Sequence, residues 1–503
     1  MAKNNKTFFL NVSTIICNKL FLIIGIALAI LGVTLYVTFP WILQSLIRIA
    51  TTFKPGWKAY NEWKCNPEPY YFDIYLFNWT NTEDFYNPDV KPKFEEIGPY
   101  RFLLNIEKMN ETWSEGDTFN YSIAKKFVFV KHEDSRDLTD LITSINPVPL
   151  SLAYQFRNSN YFTKLAISLT LRSTKSEMFV TKTADEFLFR GFEEPTLDAA
   201  NKIPFVKIMD KFGYFYKKNY TEYMYGPVTM HKTQDENFAR LSTYRNKKNP
   251  GFFDGKCGTT DGRIGEFVET NRNSSKILKV FVPEICTYTY LKYKEQRVYK
   301  GVVSDYYEAP KTLFDNGTVY PENECFCNGQ CVPSGLLNVS SCNENAPIFL
   351  SLPHFFHADP SYRNAVEGMK PDPDKHNVFT AYQKDSGVVT AIGLRIQVNV
   401  LIQPISGFGM YSNVPKYFIP VLHINETVLM TDSVASQMYI IQVSPNISTL
   451  ISCLLTVIGV TLFTYGFMKK KPNKNDNKLY DLYDKQEFQK YIYNDNFIKV
   501  IFL

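Results

Sequence analysis

The sequence predicts an α+β membrane protein in which two transmembrane helices flank one large, strand-rich domain. Three observations lead to this fold class: two long apolar segments near the ends of the 503-residue chain, cysteines clustered between them, and nine N-glycosylation sequons between them. Apolar residues make up 45% of the chain and aromatic residues 16%, which is ample for a packed core. The net charge of +5 is small and does not predict nucleic-acid binding, which needs basic residues gathered in one patch.

The first apolar segment contains no charged residue between Lys19 and Arg48. A helix needs about 20 apolar residues to cross the hydrocarbon core, so this segment is long enough. A cleaved signal peptide is the alternative, but its apolar part has about 7–15 residues and ends at small residues. Bulky residues follow here, in the sequence FPWI, so we predict an uncleaved anchor. The second apolar segment runs from Leu450 to Met468 and stops at three lysines.

The orientation follows from the flanking lysines. They precede the first span at Lys3, Lys6 and Lys19 and follow the second at Lys469–Lys471, so the positive-inside rule places both ends in the cytoplasm. The sequons place the intervening segment in the lumen and then outside the cell. They are Asn78, Asn110, Asn120, Asn219, Asn273, Asn316, Asn338, Asn425 and Asn446. The predicted order is a tail at 1–19, a span at 20–43, an ectodomain at 44–446, a span at 447–468 and a tail at 469–503.

Three segments of the ectodomain are typical of β-strands, because they are rich in β-branched and aromatic residues with partial alternation. These segments are Tyr70–Trp79, Phe119–Val130 and Val388–Gln403. One region, from about Asp137 to Phe189, repeats its apolar residues at intervals of three and four, which predicts helices. Such helices either complete the core or form a lid or docking face at one end of a barrel.

The chain contains no Gly-x-Ser-x-Gly elbow, no His-Glu-x-x-His motif and no Walker loop. His354 and His357 can share a metal ion if their segment is helical, but without a third ligand a turn or core packing explains them better. Asp372 and Asp374 resemble an acid–base pair, yet the prolines around them predict a solvated turn. We therefore expect no enzymatic activity, no metal and no cofactor.

The cysteines carry the strongest signal, since six of the nine lie between Cys257 and Cys342. Six cysteines can pair in 15 ways. The spacing Cys-x-Cys-x3-Cys also suits zinc, but an extracellular site favours disulfides. Cys65 is a seventh lumenal cysteine, either free or paired between chains. Cys17, at the cytoplasmic edge of the first span, is a candidate for palmitoylation, whereas Cys453 is expected to pack inside the second span.

One cysteine-rich segment resembles a known family. CFCNGQCVPSGLLNVSSC (Cys325–Cys342), followed by APIFLSLPHF (Ala346–Phe355), closely resembles the class B scavenger receptors, with the arthropod croquemort-like branch nearest. This family includes fatty-acid translocase and the type II lysosomal integral membrane protein. YLFNWTN (Tyr75–Asn81), EEIGPYRF (Glu95–Phe102) and VEGMKPDPDKH (Val366–His376) match as well. Because the spans, the ectodomain length and the cysteine order also agree, the resemblance covers nearly the whole chain.

The resemblance implies a strand-rich antiparallel barrel, a helical bundle at the membrane-distal apex and an apolar tunnel toward the membrane. It also implies three disulfides, which are Cys257–Cys325, Cys286–Cys342 and Cys327–Cys331. The apex would be Leu165–Thr183, where basic residues would bind carboxylate or phosphate head groups. These residues are Lys164, Arg172, Lys175 and Lys182. The alternative is that they are ordinary solvated residues on helices.

The same resemblance implies the function and the partners. We expect a plasma-membrane receptor that binds lipids (fatty acids, sterols, phospholipids), lipoproteins or apoptotic debris and moves lipid through the ectodomain without chemical turnover. No nucleic-acid partner is implied, and a homo-oligomer stays open. Two alternatives are a lipid or pheromone co-receptor of sensory neurons from the same family, and a subunit of a two-span ligand-gated channel. The channel is disfavoured because the second span contains only hydroxyls as polar residues that could line a pore.

Overall fold

The computed structural model describes residues 2–64, 70–202, 209–221, 226–270, 273 and 277–469, with the side chains of residues 2–16 and 58 left aside. The chain divides into two compact units. The larger unit is Leu46–Gln442, and the smaller unit contains the chain up to Ser45 and from Val443 onward. Cys65, whose pairing the sequence leaves open, and the predicted tail beyond Lys469 lie outside the described residues.

The described residues contain eight α-helices, one π-helix at Glu186–Arg190 and several short 3-10 turns. The α-helices are α1 (Ala2–Ala50), α2 (Lys58–Lys64), α3 (Pro147–Gln155), α4 (Tyr161–Ser173), α5 (Pro195–Asn201), α6 (Pro360–Asn364), α7 (Pro373–His376) and α8 (Asp432–Lys469). The β-strands are β1 (Tyr70–Trp79), β2 (Phe94–Trp113), β3 (Thr118–Phe129), β4 (Leu141–Ile145), β5 (Phe179–Thr183), β6 (Pro227–His231), β7 (Leu241–Tyr244), β8 (Leu278–Val282), β9 (Thr287–Tyr299), β10 (Val302–Glu308), β11 (Leu337–Asn338), β12 (Ile348–Ser351), β13 (Phe379–Tyr382), β14 (Val389–Ile402) and β15 (Tyr417–Leu429).

Thirteen of these strands form one antiparallel sheet in the larger unit. Its order is β7-β6-β3-β2-β1-β15-β14-β13-β10-β9-β8, and β12 pairs with β11 and β14 beside this path. The central strand β1 places Ile74 opposite Tyr100 of β2 and Ile424 of β15. Ile74 and Tyr100 are fully buried, so the middle of the sheet is part of the main hydrophobic core.

The two ends of this sheet approach each other through single bridges. Arg263 pairs with Arg240, which precedes β7, and with Val280 of β8. The neighbouring Gly262 has a φ of +107°, and a Cβ there would lie 2.9 Å from the backbone nitrogen of Phe281. Only glycine fits this close approach. The sheet is therefore nearly closed into a barrel, which confirms the predicted α+β class with a strand-rich domain between two apolar helices.

Helices α3, α4 and α5 pack against one another and form a small bundle. Asn146 and Asn160 cap α3 and α4, and each side chain accepts a hydrogen bond from a backbone N–H in the first turn. Glu194 caps α5 in the same way. Helices α3 and α5 also begin with proline, whose fixed φ suits the first helical position.

The prediction of helices from about Asp137 to Phe189 is only partly right. Leu141 and Ile142 lie on β4, which pairs with β5, so strands flank α3 and α4. The spacing of apolar residues at three and four is compatible with a helix, but β-branched residues such as Ile142 and Ile145 also favour an extended chain. Pairing with β5 decides in favour of the strand.

Three disulfides lie in the larger unit. They join Cys257 to Cys325, Cys286 to Cys342 and Cys327 to Cys331, which are the pairs that the family resemblance implies. The first two connect residues 68 and 56 positions apart. A disulfide that closes a long loop removes more conformational freedom from the unfolded chain, so these two restrict it most.

In the smaller unit, α1 and α8 contact each other through glycines. A Cβ on Gly25 would lie 2.6 Å from the backbone of α8, and a Cβ on Gly459 would lie 2.5 Å from the backbone of α1. Small residues allow such close packing of membrane helices. Two segments, Cys17–Ala50 and Asp432–Lys469, are long and apolar enough to cross a membrane.

Candidate functional site

The larger unit encloses a cavity of about 480 Å³. Strands from the middle and from both arms of the sheet line it, so the cavity lies inside the barrel. Ile47 and Ala50 at the end of α1 contribute to its wall, together with Val434, Met438 and Ile441 of α8. This volume lies within the usual range for a small-molecule site, about 300–1,000 Å³.

Most of the cavity wall is apolar, because alternate residues of neighbouring strands point inward. Ile392 and Leu394 of β14 line it with Val428 of β15, and Ile392 lies directly opposite Val428 in the sheet. Val280 of β8 and Leu291 of β9 contribute from the other arm. Such a wall suits an alkyl chain or a fused ring system better than a polar molecule.

Two lysines reach the cavity, and each forms an ion pair with a glutamate. The Nζ atom of Lys108 lies 2.6 Å from Oε1 of Glu266, and Nζ of Lys125 lies 2.8 Å from Oε1 of Glu284. Both lysines are buried. A buried ammonium group is costly unless it is paired, so each glutamate offsets part of the cost of burying its lysine.

Two further glutamates, Glu62 and Glu426, line the cavity. Glu426 is buried, and burial raises its pKa; Lys125 partly offsets this shift, whereas Glu284 adds to it. Burial also raises the pKa of Tyr70 well above its ordinary value, so its hydroxyl stays neutral beside Glu426. In total, four acidic and two basic side chains line the cavity.

Two polar atoms of the wall, Oε2 of Glu266 and Nε1 of Trp63, are buried without a hydrogen-bond partner among the described residues. Glu266 binds Lys108 through Oε1, but its Oε2 is buried and makes no hydrogen bond to any described residue. A buried acceptor without a donor costs about 1–3 kcal/mol. The wall therefore offers one buried acceptor and one buried donor whose hydrogen-bonding capacity is not used by the described residues.

A second polar cluster, which does not line the cavity, contains three buried histidines around one carboxylate. Oε1 of Glu96 lies 2.7 Å from Nε2 of His423, and its Oε2 lies 3.1 Å from Nε2 of His354. The ring of His376 stacks on that of His354, with 4.6 Å between their centroids. Burial opposes the ionisation of Glu96, but the hydrogen bonds from His354 and His423 outweigh burial and lower its pKa.

The histidine cluster resembles a metal site in its spacing but not in its hydrogen bonds. One ligand atom from each of Glu96, His354 and His423 falls within a 4.8 Å span. However, Nδ1 of His354 accepts the backbone N–H of Lys370 at 3.1 Å, so the proton of the neutral ring lies on Nε2 and faces Glu96. A nitrogen that binds a metal carries no proton. The cluster is therefore a hydrogen-bonded network.

The two residue pairs that the sequence analysis considered for chemistry do not form sites. His354 belongs to the histidine cluster, whereas the ring of His357 stacks on Phe356 at 3.7 Å between centroids. Asp372 caps α7 by accepting the backbone N–H of Asp374 at 2.9 Å. This arrangement agrees with the interpretation of both segments as turns.

The four basic residues assigned to the apex are spread over α4, the turn that follows it and β5. Lys164 and Arg172 lie eight residues apart on α4, which corresponds to about 12 Å along a helix. Lys175 follows α4 with a φ of +53°. Lys182 lies on β5, with its Nζ 5.4 Å from the ring centroid of Phe192. None of the four forms a salt bridge with a described residue, although the charge of Lys182 contributes to lowering the pKa of Glu186.

The same helix exposes a strip of apolar side chains. Tyr161 and Phe162 in its first turn are 69% and 79% exposed, and Leu165 and Leu169 continue the strip. Singly exposed apolar residues are common, but a contiguous group beside unpaired cations is typical of a binding surface. We call this strip and the four basic residues the α4 surface.

The nine sequons differ in accessibility. Asn316 and Asn338 are each 3% exposed, and each donates from Nδ2 to backbone carbonyls, for example from Asn316 to Val332 at 2.9 Å. A glycan is attached to that nitrogen, so the folded structure is incompatible with glycans at these two predicted sites. The sequons with exposed asparagines are Asn110, Asn219, Asn273 and Asn446. Cys17 is also exposed, and its palmitoylation stays a prediction.

The charged residues of the cavity were not predicted, although the sequence contains a signal for them. Phe102, Leu104 and Lys108 occupy alternate positions of β2, and all three are buried. The same alternation in β3 places Lys125 on the face of Phe127. A lysine at a position that alternation assigns to the interior predicts a buried ion pair.

Comparison with known proteins agrees with this architecture. The model of the CD36 family matches residues 23–470. Protein peste of Drosophila melanogaster is 32% identical over 417 residues, which are 81% of this chain and 74% of that protein. Scavenger receptor class B member 1 of Bos taurus is 29% identical over 87% of this chain and 86% of its own length. Lysosome membrane protein 2 of Homo sapiens is 27% identical over 87% and 91%, respectively. The chain therefore belongs to the CD36 family of class B scavenger receptors.

Proposed function

We propose that this chain is a cell-surface receptor that binds lipids, lipoproteins or apoptotic debris and moves lipid through the interior of its barrel. The observation that carries the proposal is the apolar cavity of about 480 Å³ inside the barrel of a CD36-family protein. An empty apolar cavity is destabilising, because its wall loses packing contacts. A lipid chain restores these contacts.

The α4 surface supports the first step, which is the capture of ligand. Phe162 and its exposed neighbours can insert into the apolar part of a lipid surface, and Arg172 and Lys175 can bind anionic head groups. Both kinds of contact occur together on lipoproteins and on membranes that expose anionic lipid.

The location of the receptor is part of the proposal. We place both tails in the cytoplasm, the ectodomain at 44–446 outside the cell, and the receptor in the plasma membrane. The lysines that flank both apolar helices support this orientation. A lysosomal membrane is the alternative, since one relative is named a lysosome membrane protein.

Lipid occupancy of the cavity is tested by mass spectrometry of lipids that co-purify with the full-length receptor. The variant Ile392→Trp fills the cavity, and Val128→Trp is the control, because Val128 lies on β3, is 48% exposed and does not line the cavity. We expect stoichiometric lipid in the parent and in the control, and at least a fivefold loss in Ile392→Trp. A folded parent without lipid, or equal lipid in all three proteins, would refute the cavity as the lipid site.

The role of the α4 surface is tested by charge reversal. Lys175→Glu should lower the binding of phosphatidylserine vesicles to receptor-expressing cells severalfold, because it replaces an unpaired cation by an anion. Lys384→Glu is the matched control, since Lys384 is exposed in the turn between β13 and β14. Equal losses in both variants would indicate a general charge effect and exclude a specific role for the α4 surface.

A further inference from the structure

We propose that the β-hairpin formed by β9 and β10 is a membrane contact, and that its apolar tip lies in the head-group layer of the bilayer that α8 crosses. The partner is an uncharged phospholipid interface, such as that of phosphatidylcholine. The contact is independent of the lipid-binding function of the cavity, since the tip does not line the cavity.

The tip of the hairpin is tight and apolar. Lys300 and Gly301 form a two-residue turn between the strands, with φ angles of +46° and +83°. Two positive φ angles in succession are typical of the type I′ turn, which suits the twist of a hairpin. Val298 and Val303 lie directly opposite each other beside this turn, so their side chains share one face. They are 65% and 37% exposed.

The outer face of β9 changes from polar to apolar toward the turn. Lys292, Lys294 and Gln296 occupy alternate exposed positions, and Val298 follows them on the same face. A strand face that water covers along its whole length normally stays polar. The change at Val298 therefore indicates a different environment at the tip.

The tip is fixed to the first turns of α8. The backbone N–H of Val303 donates to Oε1 of Gln442 at 2.7 Å. A Cβ on Gly301 would lie 3.8 Å from the ring of Tyr439, and Tyr439 is itself 49% exposed. We call Val298, Val303 and Tyr439 the hairpin patch.

The length of α8 places this part of the helix at the membrane surface. The helix runs from Asp432 to Lys469, and its 38 residues correspond to about 57 Å. A bilayer with its head groups is about 40–45 Å thick, which takes about 27–30 residues of helix. Counted back from Lys469, this length ends between Gln442 and Tyr439. The hairpin patch therefore lies at the level of the head groups, where tyrosine is enriched in membrane proteins.

Paired charges leave the tip close to neutral. The cations nearest the turn each have a carboxylate partner at 2.6–2.9 Å, in the pairs Lys294–Glu308, Arg297–Glu295 and Lys300–Asp432. A neutral tip gains little from anionic lipid, whereas its valines and tyrosine suit the boundary between head groups and acyl chains. The matching partner is therefore zwitterionic phospholipid.

Tryptophan fluorescence of the full-length receptor in phosphatidylcholine nanodiscs tests the contact. Bromine atoms near the head-group end of the acyl chains quench a tryptophan that touches them, and the parent supplies the background. Leu141→Trp is the matched control for Val298→Trp, because Leu141 is also 65% exposed but lies on β4, whose Thr143 binds Asn78. By the register of β1 and β15, Asn78 lies about 30 Å from the end of β15 that leads into α8.

We expect brominated phosphatidylcholine to remove at least half of the fluorescence that Val298→Trp adds, and less than a tenth of that added by Leu141→Trp. Equal loss in both variants would overturn the proposal. A loss that requires added phosphatidylserine would overturn the neutral character of the contact. A tryptophan that is shielded from iodide in solution but not quenched by bromine would show that protein covers the patch, and the membrane contact would then be wrong.

A second variant reads the same surface from the other strand. Val303→Trp should be quenched as strongly as Val298→Trp, and it replaces that variant if Val298→Trp does not fold. In the Val303→Trp background, Val298→Glu should reduce the quenching severalfold, because a carboxylate resists entry into the apolar layer. Val298→Leu keeps the apolar surface and should leave the quenching unchanged. Equal quenching with glutamate and leucine would overturn the role of Val298.

Discussion

Lowering the pH from 7.4 to 5.0 should destabilise the larger unit by about 2 kcal/mol through His376. Burial, together with His354 and His423, lowers the pKa of His376 from 6.5 to about 4. The unfolded chain therefore takes up a proton at higher pH than the folded chain. The contribution of His376 to the free energy of unfolding is fully present above about pH 6.5. It falls as the pH drops below that value and stops falling near pH 4. The pKa values of His376 in the unfolded and folded chain give a loss in the free energy of unfolding of about 2 kcal/mol at pH 5.0 and about 0.1 kcal/mol at pH 7.4.

The hydrogen bonds of the histidine cluster explain why the folded state resists protonation. Nδ1 of His376 accepts the backbone N–H of Asp372 at 2.9 Å, so a proton on this nitrogen breaks the bond and places two donors face to face. Burial lowers the pKa of His423 in the same direction, although Glu96 opposes it and Arg395 adds to it. The lowered pKa of Glu96 contributes stability that is lost only below about pH 4.5, outside this window.

The assay compares thermal unfolding of the full-length receptor with that of His376→Asn at pH 7.4 and 5.0. The asparagine oxygen can still accept the N–H of Asp372 but does not titrate. For a unit of about 400 residues, 2 kcal/mol corresponds to roughly 2–3 °C, so the acid shift in Tm should be smaller by that amount in the variant. His132→Asn, at an exposed turn, should leave the shift unchanged. An equal acid shift in parent and His376→Asn would refute the reasoning.

Three further predictions concern stability and modification. Gly459→Leu should lower the amount of folded receptor in the membrane fraction severalfold, because it forces α8 away from α1, whereas Gly116→Leu, in open space, should not. Cys286→Ser should destabilise the larger unit by about 2–5 kcal/mol in thermal unfolding, and an unchanged Tm would show that its disulfide is dispensable. Asn316→Gln should leave electrophoretic mobility unchanged because Asn316 is buried, whereas Asn110→Gln should increase it; a shift for Asn316→Gln would contradict the burial argument.

Local sequence pattern was sufficient to predict much of the sheet. The three predicted strands lie within one residue of β1, β3 and β14, because alternation and β-branched residues are properties of the strand itself. The region that begins at Asp137 was harder, since the apolar spacing around Leu141 fits both a helix and β4. There the choice between helix and strand depends on pairing with β5, about 40 residues later in the chain. A local pattern contains no information about that pairing.

The histidine cluster could not be predicted in the same way. Glu96, His354, His376 and His423 come from β2, the segment after β12, α7 and β15, and only the register of the sheet and one loop bring them together. His357, three residues along the chain, was the metal-sharing neighbour considered for His354, but the ring of His354 stacks on His376 and that of His357 on Phe356. Proximity in the chain was therefore the wrong guide to proximity in the fold.

The pairing of β1 with β15 also sets the order of events during synthesis. Ile74 faces Ile424, so the first strand of the sheet is made about 350 residues before its permanent neighbour. At about 5–20 residues per second, the ribosome needs roughly 20–70 s to close that gap. Throughout this interval the edge of β1 that later binds β15 has no partner and is open to wrong pairing. The larger unit can therefore complete its sheet only after its last strand has been made, and until then this edge needs protection from other strands.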